Sequence, residues 1–207
     1  MSIDAAPQSP PGHRGPADHA IREQIISAAS EHFKHFGYGK TTVSDLANAI
    51  GFSKAYIYKF FDSKQAIGEV ICAQCLDKVS AAAQEAAVSG RTSAEKYRKF
   101  FRAIVETTAN LLFHERRLYD ISAHSIAEKW PSAVAYNESV LAMLRQIILE
   151  GRENGEFERK TPIDETSRAI FQVMQPFINP LMLVHNLDLV PDGASEVANL
   201  VLRSLSP

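Results

Sequence analysis

The chain has 207 residues, 45% of them hydrophobic and 22% charged, which are proportions of a globular protein and exclude a disordered or fibrous one. This length fits one domain or two small ones. The net charge of −2 excludes a wholly basic nucleic-acid binder, but residues 12–64 carry seven Lys or Arg against five Asp or Glu, whereas residues 65–207 carry fifteen against eighteen. Phosphate groups would therefore attract the mildly basic N-terminal part more strongly than the acidic remainder.

Residues 1–17 contain four prolines and two glycines with little that is apolar, and this composition predicts a disordered arm. His13 and Arg14 could follow a DNA minor groove, but a solvated tail is the favoured interpretation. The chain contains no secretory hydrophobic segment and no apolar run near the roughly twenty residues that cross a bilayer. We therefore expect a cytoplasmic protein without a membrane partner.

Residues 42–61 predict two short helices joined by a sharp turn. Thr42 can cap the first helix, and Asp45, three residues later, can complete a capping box. Gly51 can take the left-handed conformation that reverses the chain, and Ser53 can cap the second helix. This order of signals is typical of a helix-turn-helix, which together with a preceding helix predicts a three-helix head.

The second helix of this pair presents polar side chains on the face opposite its core. At about 100° per residue around Ile57, Ala55 and Lys59 point most nearly away from the core, with Tyr56 and Tyr58 on the flanks. Recognition helices place such residues against base edges, while their flanks meet phosphates. The candidate base or groove contacts are Lys54, Tyr56 and Lys59, and the candidate phosphate contacts are Thr42, Tyr58 and Lys64. The head is therefore predicted to bind double-stranded DNA.

The segment from Arg22 to Val70 also carries a set of family motifs. They include Gly37-Tyr38, Thr41-Thr42-Val43, Asp45-Leu46-Ala47, Gly51-Phe52-Ser53-Lys54, Ile57-Tyr58 and Ser63-Lys64. This quarter of the chain resembles the N-terminal domain of TetR-type transcriptional regulators. The resemblance implies an all-helical protomer with a DNA-binding head, a ligand-binding body, homodimerisation through the last helices and, usually, repression relieved by a small molecule.

The resemblance also implies which side chains meet DNA. Carried over position by position, these contacts fall on Thr42, Ser53, Lys54, Tyr56, Tyr58 and Lys64. Two positions depart from the family pattern, since Ala55 stands where glycine is frequent and Phe60 stands where a histidine often occurs. The Ala55 methyl could meet a thymine methyl, so Ala55 joins the candidate DNA contacts and the operator sequence is not transferable.

The rest of the chain is predicted to form further helices around a second core. Start and stop signals predict nine helices in all, over about 18–36, 42–50, 53–61, 63–89, 92–111, 115–128, 131–151, 161–185 and 192–205. Strand signals are absent. The expected fold is all-α, with the disordered arm (1–17), a helix-turn-helix DNA-binding head (18–78) and a ligand-binding and dimerisation body (79–207).

The last two predicted helices indicate a homodimer. The segment 169–185 is apolar on nearly every side and should be buried all round, and the last helix should turn Val197, Leu200 and Val201 inward. Docking both helices against the same pair of a second copy would bury them in a two-fold interface. Two recognition helices in such a dimer would read a palindromic operator. The alternative is a monomer whose own body covers these helices.

Two prolines, Pro176 and Pro180, interrupt the apolar helix and predict a kink or a break near its centre. A kink could open a cavity for a small hydrophobic or amphipathic effector, although aromatic residues at helical spacing often form simple core. The candidate lining residues are Phe101, Ile104, Trp130, Phe171, Met174 and Phe177. An effector would release DNA through a difference in affinity between two arrangements of the dimer, with the fourth helix as the lever.

Cys72 and Cys75 are the only cysteines, and they lie along one apolar helical stripe, so buried structural roles are favoured over a redox or zinc site. No nucleophile, base and orienting group occur at characteristic spacing, and no phosphate-binding glycine loop is present. Neither an enzyme nor a cofactor or metal is expected. The second hypothesis is a protein-interaction module that keeps the helix-turn-helix shape without binding DNA, although outward Tyr58 and Lys64 argue against it.

Overall fold

The computed structural model describes residues 16–114 and 118–207, and all regular structure in these ranges is helical. Its ten α-helices are α1 (Pro16–Phe36), α2 (Val43–Ile50), α3 (Lys54–Tyr58), α4 (Lys64–Val88), α5 (Ser93–His114), α6 (Leu118–Ala127), α7 (Pro131–Glu153), α8 (Ile163–Ile178), α9 (Pro180–Leu183) and α10 (Asp192–Ser204), with a 3₁₀ turn at Leu187–Leu189. The predicted all-α class is confirmed. None of these helices is long and apolar enough to cross a membrane.

The observed elements differ from the predicted ones in the number of helices and in the residue at which the first helix begins. Helix α9 is a short helix beyond the nine predicted. Residues 1–15 of the predicted arm lie outside the described residues, and Pro16 and Ala17 already belong to α1. The predicted start of the sixth helix at Glu115 also lies outside the described ranges.

Local signals set the ends of the two short helices in the head. The Thr42 hydroxyl accepts a hydrogen bond from the Asp45 N–H at 3.2 Å, and the Asp45 carboxylate accepts one from the Thr42 N–H at 2.8 Å. Gly51 has a φ of 79°, and the Ser53 hydroxyl accepts the Tyr56 N–H at 3.1 Å. The predicted capping box, hinge and second cap are therefore confirmed, since each depends only on residues close in sequence.

The head is held by a core to which α1, α2, α3 and the first turns of α4 contribute. Its fully buried side chains include Ile25, Ala29, Phe33, Leu46, Ile57 and Ile67. Helix α3 ends at Tyr58, so Phe60 and Phe61 enter this core from the turn after the helix and not from the helix itself. The core supports α3 from behind and leaves its other side to solvent.

Helix α4 belongs to both halves of the molecule. Its N-terminal part contributes Ile67 and Ile71 to the head core, and its C-terminal part contributes Val79 and Ala83 to the body core. In the body, α4 packs against α5 and α7, and α5 also packs against α8 and α10. The largest fully buried side chains of the body include Tyr97, Phe100, Phe101, Ile104, Leu144 and Ile148.

Helix α8 does not continue to His185 as predicted. It ends at Ile178, where Asn179 adopts an extended conformation and caps α9 with its side chain. Pro180 takes the first position of α9, where its nitrogen needs no hydrogen bond. Pro176 is accommodated within α8. The chain therefore breaks at Pro180, one of the two prolines predicted to interrupt the apolar segment, and not at Pro176.

Two predictions about burial in the last helices are wrong for the single chain. Val173 on α8 is 44% exposed, so this helix is not buried on all sides, and Leu200 on α10 is 56% exposed instead of inward. The buried face of α10 is formed by Ala194, Ala198 and Val201. Leu200 lies about 200° around the helix from Ala198 and so points the other way.

Candidate nucleic-acid interface

The outer surface of α3 carries most of the predicted reading residues. Lys54, Ala55, Tyr58 and Lys59 are exposed, while Ile57 on the opposite side is fully buried. The Lys54 ammonium lies 5.8 Å from the centre of the Tyr58 ring, and the Lys59 ammonium lies 5.7 Å from the centre of a phenylalanine ring. Exposed cation–π contacts of this length are weak, so both lysines can turn to a phosphate or a base.

Tyr56 is less exposed than we expected for a side chain that contacts a DNA groove. Its side chain is half-buried, and its ring meets the rings of Phe52 and Phe60 edge-on, with centroids 5.1 Å and 5.4 Å away. The ring of Phe52 therefore packs against Tyr56. Only the outer edge of Tyr56 is left for a contact in a DNA groove.

Two of the predicted contact residues use their hydroxyl groups within the head. The Thr42 hydroxyl donates to the Asp45 carboxylate at 2.7 Å and also accepts the Asp45 N–H. These hydrogen bonds, first from the hydroxyl and then from the backbone, hold the pKa of Asp45 below its usual value. The Ser53 hydroxyl accepts the Tyr56 N–H, which leaves its own proton free to donate.

Lys64, the first residue of α4, is bound to the head and is half-buried. Its ammonium donates to the Tyr38 carbonyl at 3.0 Å and lies 4.3 Å from the centre of the Tyr38 ring. An ammonium has three N–H groups, so two are left for a phosphate. Lys64 therefore joins α4 to the loop between α1 and α2 whether or not DNA is present.

Lys40 is a basic residue of this region that the sequence reasoning did not single out. It is exposed in the loop before α2, three residues ahead of the first helical position. Residues 39–64 contain four lysines and two aspartates. The excess of positive charge near α3 is the signal that could have identified Lys40, since lysine neutralises phosphate.

The loop between α1 and α2 is held by α6 of the body, and this contact was also missed. The Asp120 carboxylate accepts the Gly39 N–H at 2.7 Å, and the His124 ring lies 5.0 Å from the Tyr38 ring. A Cβ atom on Gly37 would lie 3.3 Å from the same carboxylate. The Gly-Tyr-Gly pattern hints at a close approach, but the partner lies 81 residues away along the chain.

Trp130, predicted to line a ligand pocket, lies instead in the head core. It is fully buried, its ring is 5.4 Å from that of Tyr38, and its indole N–H donates to Glu128 at 2.8 Å. A Cβ atom on Gly68 would come within 2.8 Å of both rings, so only glycine fits there without movement. Burial, followed by the nearby acidic groups, raises the pKa of Tyr38 to about 12, so this residue stays neutral.

A cavity does lie in the body, but other residues line it. They are Ile71, Cys72, Cys75, Leu76, Val79, Thr108, Leu111, Leu112, Tyr119, Ile121, Ser122, Tyr136, Ile178 and Pro180. Of the remaining predicted pocket residues, Ile104, Met174 and Phe177 are buried in the body core, Phe171 is half-buried, and Phe101 borders a separate groove between α5 and α10. The cavity forms where α8 ends beside α4 and α6, and Pro180, one of the two prolines predicted to interrupt the helix, borders it.

Cys72 and Cys75 are not joined by a disulfide, and both border this cavity. Cys72 is buried and Cys75 is half-buried, so the prediction of burial holds fully only for Cys72. Burial raises the pKa of the Cys72 thiol, although the nearby Ser132 and Ser125 hydroxyls act in the opposite direction. Within the described ranges, no group of three or more metal-binding side chains occurs.

Two family models match this chain. The model for bacterial regulatory proteins of the tetR family matches residues 25–70, which hold most of the head. The model for a tetracyclin repressor-like C-terminal domain matches residues 93–192 of the body. The biofilm operon icaADBC HTH-type negative transcriptional regulator IcaR of Staphylococcus aureus (strain Newman) is 37% identical over 57 residues, which are 28% of this chain. The match spans 31% of that regulator's length.

Solved structures match over nearly the whole chain. The TetR family transcriptional regulator PfmR from Thermus thermophilus is 26% identical with a TM-score of 0.61, over 90% of this chain and 97% of that one. The transcriptional regulator FadR from Bacillus subtilis, solved in complex with stearoyl-CoA, has the same fold, with 21% identity and a TM-score of 0.66 over 88% of this chain and 98% of that one. With its head and body each matched by a family model, this chain belongs to the TetR family of transcriptional regulators, which bind DNA and are not enzymes.

Proposed function

We propose that this protein is a repressor that binds a palindromic operator as a homodimer and leaves it when a small molecule occupies the body. The observation that carries the proposal is the outer surface of α3, where Lys54, Tyr58 and Lys59 are exposed while Ile57 behind them is fully buried. A fixed support and an outward polar face are what a recognition helix needs in the major groove. Repression is the role named for IcaR.

We assign two kinds of contact to the head. The proposed contacts to base edges are Lys54, Ala55, Lys59 and the outer edge of Tyr56, and the proposed contacts to phosphate are Thr42, Ser53, Tyr58 and Lys64, joined by Lys40. Contacts to phosphate position the helix, whereas contacts to base edges select the sequence. Lys64 keeps two N–H groups and is proposed to approach phosphate without rearranging, whereas the Thr42 hydroxyl would have to turn its single proton from Asp45 to the phosphate.

The proposed dimer pairs α8 and α10 of one protomer with the same helices of the other. Val173 and Leu200 are large apolar side chains that stay exposed on these two neighbouring helices. Burying them against a second copy would remove them from water and create a two-fold interface. The two α3 helices of such a dimer would lie about one DNA turn apart, or a multiple of it, and would read a palindrome.

The proposed release of DNA uses α4 and α6, which touch both the cavity and the head. On α6, Tyr119 and Ser122 border the cavity, while Asp120 binds Gly39 in the head loop. We keep the boundary between head and body near residue 78, where α4 passes from one core to the other. A ligand that moves α6 would shift the head, and it would change DNA affinity only if it binds the two arrangements unequally.

Selection of bound fragments from random duplex DNA tests this proposal. The expected product is a palindromic motif, and sedimentation of the complex should show two protomers for each motif or a multiple of two. Failure to enrich any motif would overturn the DNA-binding role and would favour the protein-interaction module. Enrichment of a single half-site bound by one protomer would overturn the dimer.

A further inference from the structure

We infer that the effector of this protein inserts into the body an uncharged group about the size of one ring, bearing an oxygen that accepts a hydrogen bond from the Tyr136 hydroxyl. This inference rests on the proposed function, since it concerns the cavity that the effector is proposed to fill. It names the chemistry of the ligand and the residue that recognises it.

Two adjoining cavities in the body set the size of the group that can bind beside Tyr136. Each has a volume of about 70 Å³, and both lie among α4, α6, α7 and the break after α8. The lining residues that they share are Cys72, Leu76, Ser122, Tyr136, Ile178 and Pro180. A dry apolar cavity of about 150 Å³ is enough to hold benzene. The joined space therefore suits one small ring, with a slight movement of the side chains between the cavities.

The lining sets the charge of the ligand. No described residue that borders either cavity has a charged side chain. Cys72 adds no charge either, because burial raises its pKa and keeps it a neutral thiol. A carboxylate, phosphate or ammonium group would lose its water here without gaining a counter-charge, and this cost far exceeds that of burying a neutral group. Only the uncharged part of a molecule is expected to enter.

Tyr136 sets the polar feature of the ligand. Its side chain borders both cavities, and its hydroxyl has no hydrogen-bond partner among the described residues. Two neighbouring polar groups are already engaged, since the Ser125 hydroxyl donates to the Ser122 carbonyl and the Gln175 amide donates to the Phe171 carbonyl. Burial raises the pKa of Tyr136, so its hydroxyl keeps its proton and acts as a donor. A ligand oxygen at this point would satisfy it.

Three probes of similar size test the inference on the full-length protein without DNA. Methyl benzoate is neutral and carries an acceptor oxygen, benzoate carries a charge, and toluene carries no oxygen. NMR titration should show that methyl benzoate binds and that benzoate binds at least tenfold more weakly. In Tyr136→Phe, the affinity for methyl benzoate should fall about tenfold, while that for toluene should not change.

Tyr97 provides a matched control in the same half of the molecule. Its hydroxyl is buried without a partner, but Tyr97 borders neither cavity. Tyr97→Phe should leave all three affinities unchanged, and thermal unfolding of both variants verifies that they are folded. The inference is overturned if benzoate binds as well as methyl benzoate, if neither neutral probe binds, or if Tyr136→Phe has no effect.

A separate readout distinguishes this inference from the proposed function. Operator affinity is measured with and without saturating methyl benzoate. Binding of the probe without any change in operator affinity would contradict the proposed release while the inference about the cavity stands. If the probe experiments overturn the inference about the cavity, the proposal that the protein binds an operator still stands.

Discussion

The Ser53 hydroxyl already accepts the Tyr56 N–H, and the Lys64 ammonium already donates to the Tyr38 carbonyl, so two proposed DNA contacts also hold the head together. Alanine at either position would weaken DNA binding for two reasons at once. Substitutions that keep the structural role and change only the surface chemistry are therefore the informative ones at the scale of single residues.

Ser53 allows this separation. Ser53→Ala removes the cap of α3 and should lower the free energy of unfolding by about 1 kcal/mol. Ser53→Asp keeps the cap, because aspartate is an equally good capping residue, but brings a negative charge to the proposed phosphate contact. We expect Ser53→Asp to unfold like the unsubstituted protein and to bind DNA more weakly than Ser53→Ala.

Urea unfolding and fluorescence anisotropy with the selected operator measure the two properties separately. A Ser53→Asp variant that binds DNA at least as well as Ser53→Ala would show that Ser53 does not face phosphate.

The exposure of a side chain in the candidate site was predictable where its position on a single helix determines its direction. Burial of Ile57 and the helical repeat were enough to place Ala55 and Lys59 outside. The enclosure of Tyr56 was not predictable in the same way, because it depends on a phenylalanine in the turn after α3. The bond from Lys64 also escaped prediction, because its partner lies 26 residues away in sequence.

At the scale of helices, the same contrast between local and distant causes recurs. The cap at Thr42 and the hinge at Gly51 were predictable because neighbouring residues produce them. Pro180 signalled the break before α9, but the role of Asn179 as the cap of a new helix was not predicted, although asparagine before proline is a local signal for it. The hydrogen bond between the head loop and α6 joins Gly39 and Asp120, which lie 81 positions apart in the sequence. No pattern of neighbouring residues identifies Asp120 as the partner.

Asp120→Ala tests the contact between the head loop and α6. Loss of the carboxylate leaves the Gly39 N–H without its acceptor, so this amide should exchange with solvent faster. The free energy of unfolding should fall by about 1 kcal/mol, since Asp120 is partly exposed and water screens the contact. Asp62→Ala, at an exposed position of the head, is the control. Equal exchange at Gly39 in both variants would mean that α6 does not hold the loop in solution.

The start of α5 gives a pH-dependent prediction. Burial alone would raise the pKa of Glu156, but hydrogen bonds from the Ser93 N–H, the Ser93 hydroxyl and the Ala94 N–H outweigh it and lower the pKa below 4.5. The contribution of this contact to the free energy of unfolding is therefore fully present above about pH 4.5. It is lost as the pH falls through the pKa that Glu156 has in the folded protein.

Glu156→Gln should accordingly unfold at lower urea concentration than the unsubstituted protein at pH 7, and the difference should shrink on acidification toward pH ~3. Glu196→Gln, at an exposed position on α10, should match the unsubstituted protein. A difference for Glu156→Gln that is constant with pH would contradict a charged cap at α5.

At the scale of the whole molecule, the exposed apolar residues on α8 and α10 make the dimer testable. Replacing both Val173 and Leu200 by Asp should give a monomer in sedimentation equilibrium, because charges would be buried in the proposed interface. Val88→Asp, at an even more exposed apolar position at the end of α4, should stay dimeric. A double variant that sediments as the unsubstituted protein would place the interface elsewhere.

The account depends most on the outer face of α3 as the surface that reads DNA. Its most direct test is the affinity for the selected operator and for a scrambled duplex of equal length, measured for the unsubstituted protein, Lys54→Ala, Tyr58→Phe and the control Tyr97→Phe. We expect Lys54→Ala to reduce discrimination between the two duplexes by about 1–3 kcal/mol, and Tyr58→Phe to weaken both by about threefold to tenfold. Unchanged affinities for both duplexes in Lys54→Ala and Tyr58→Phe would contradict the account.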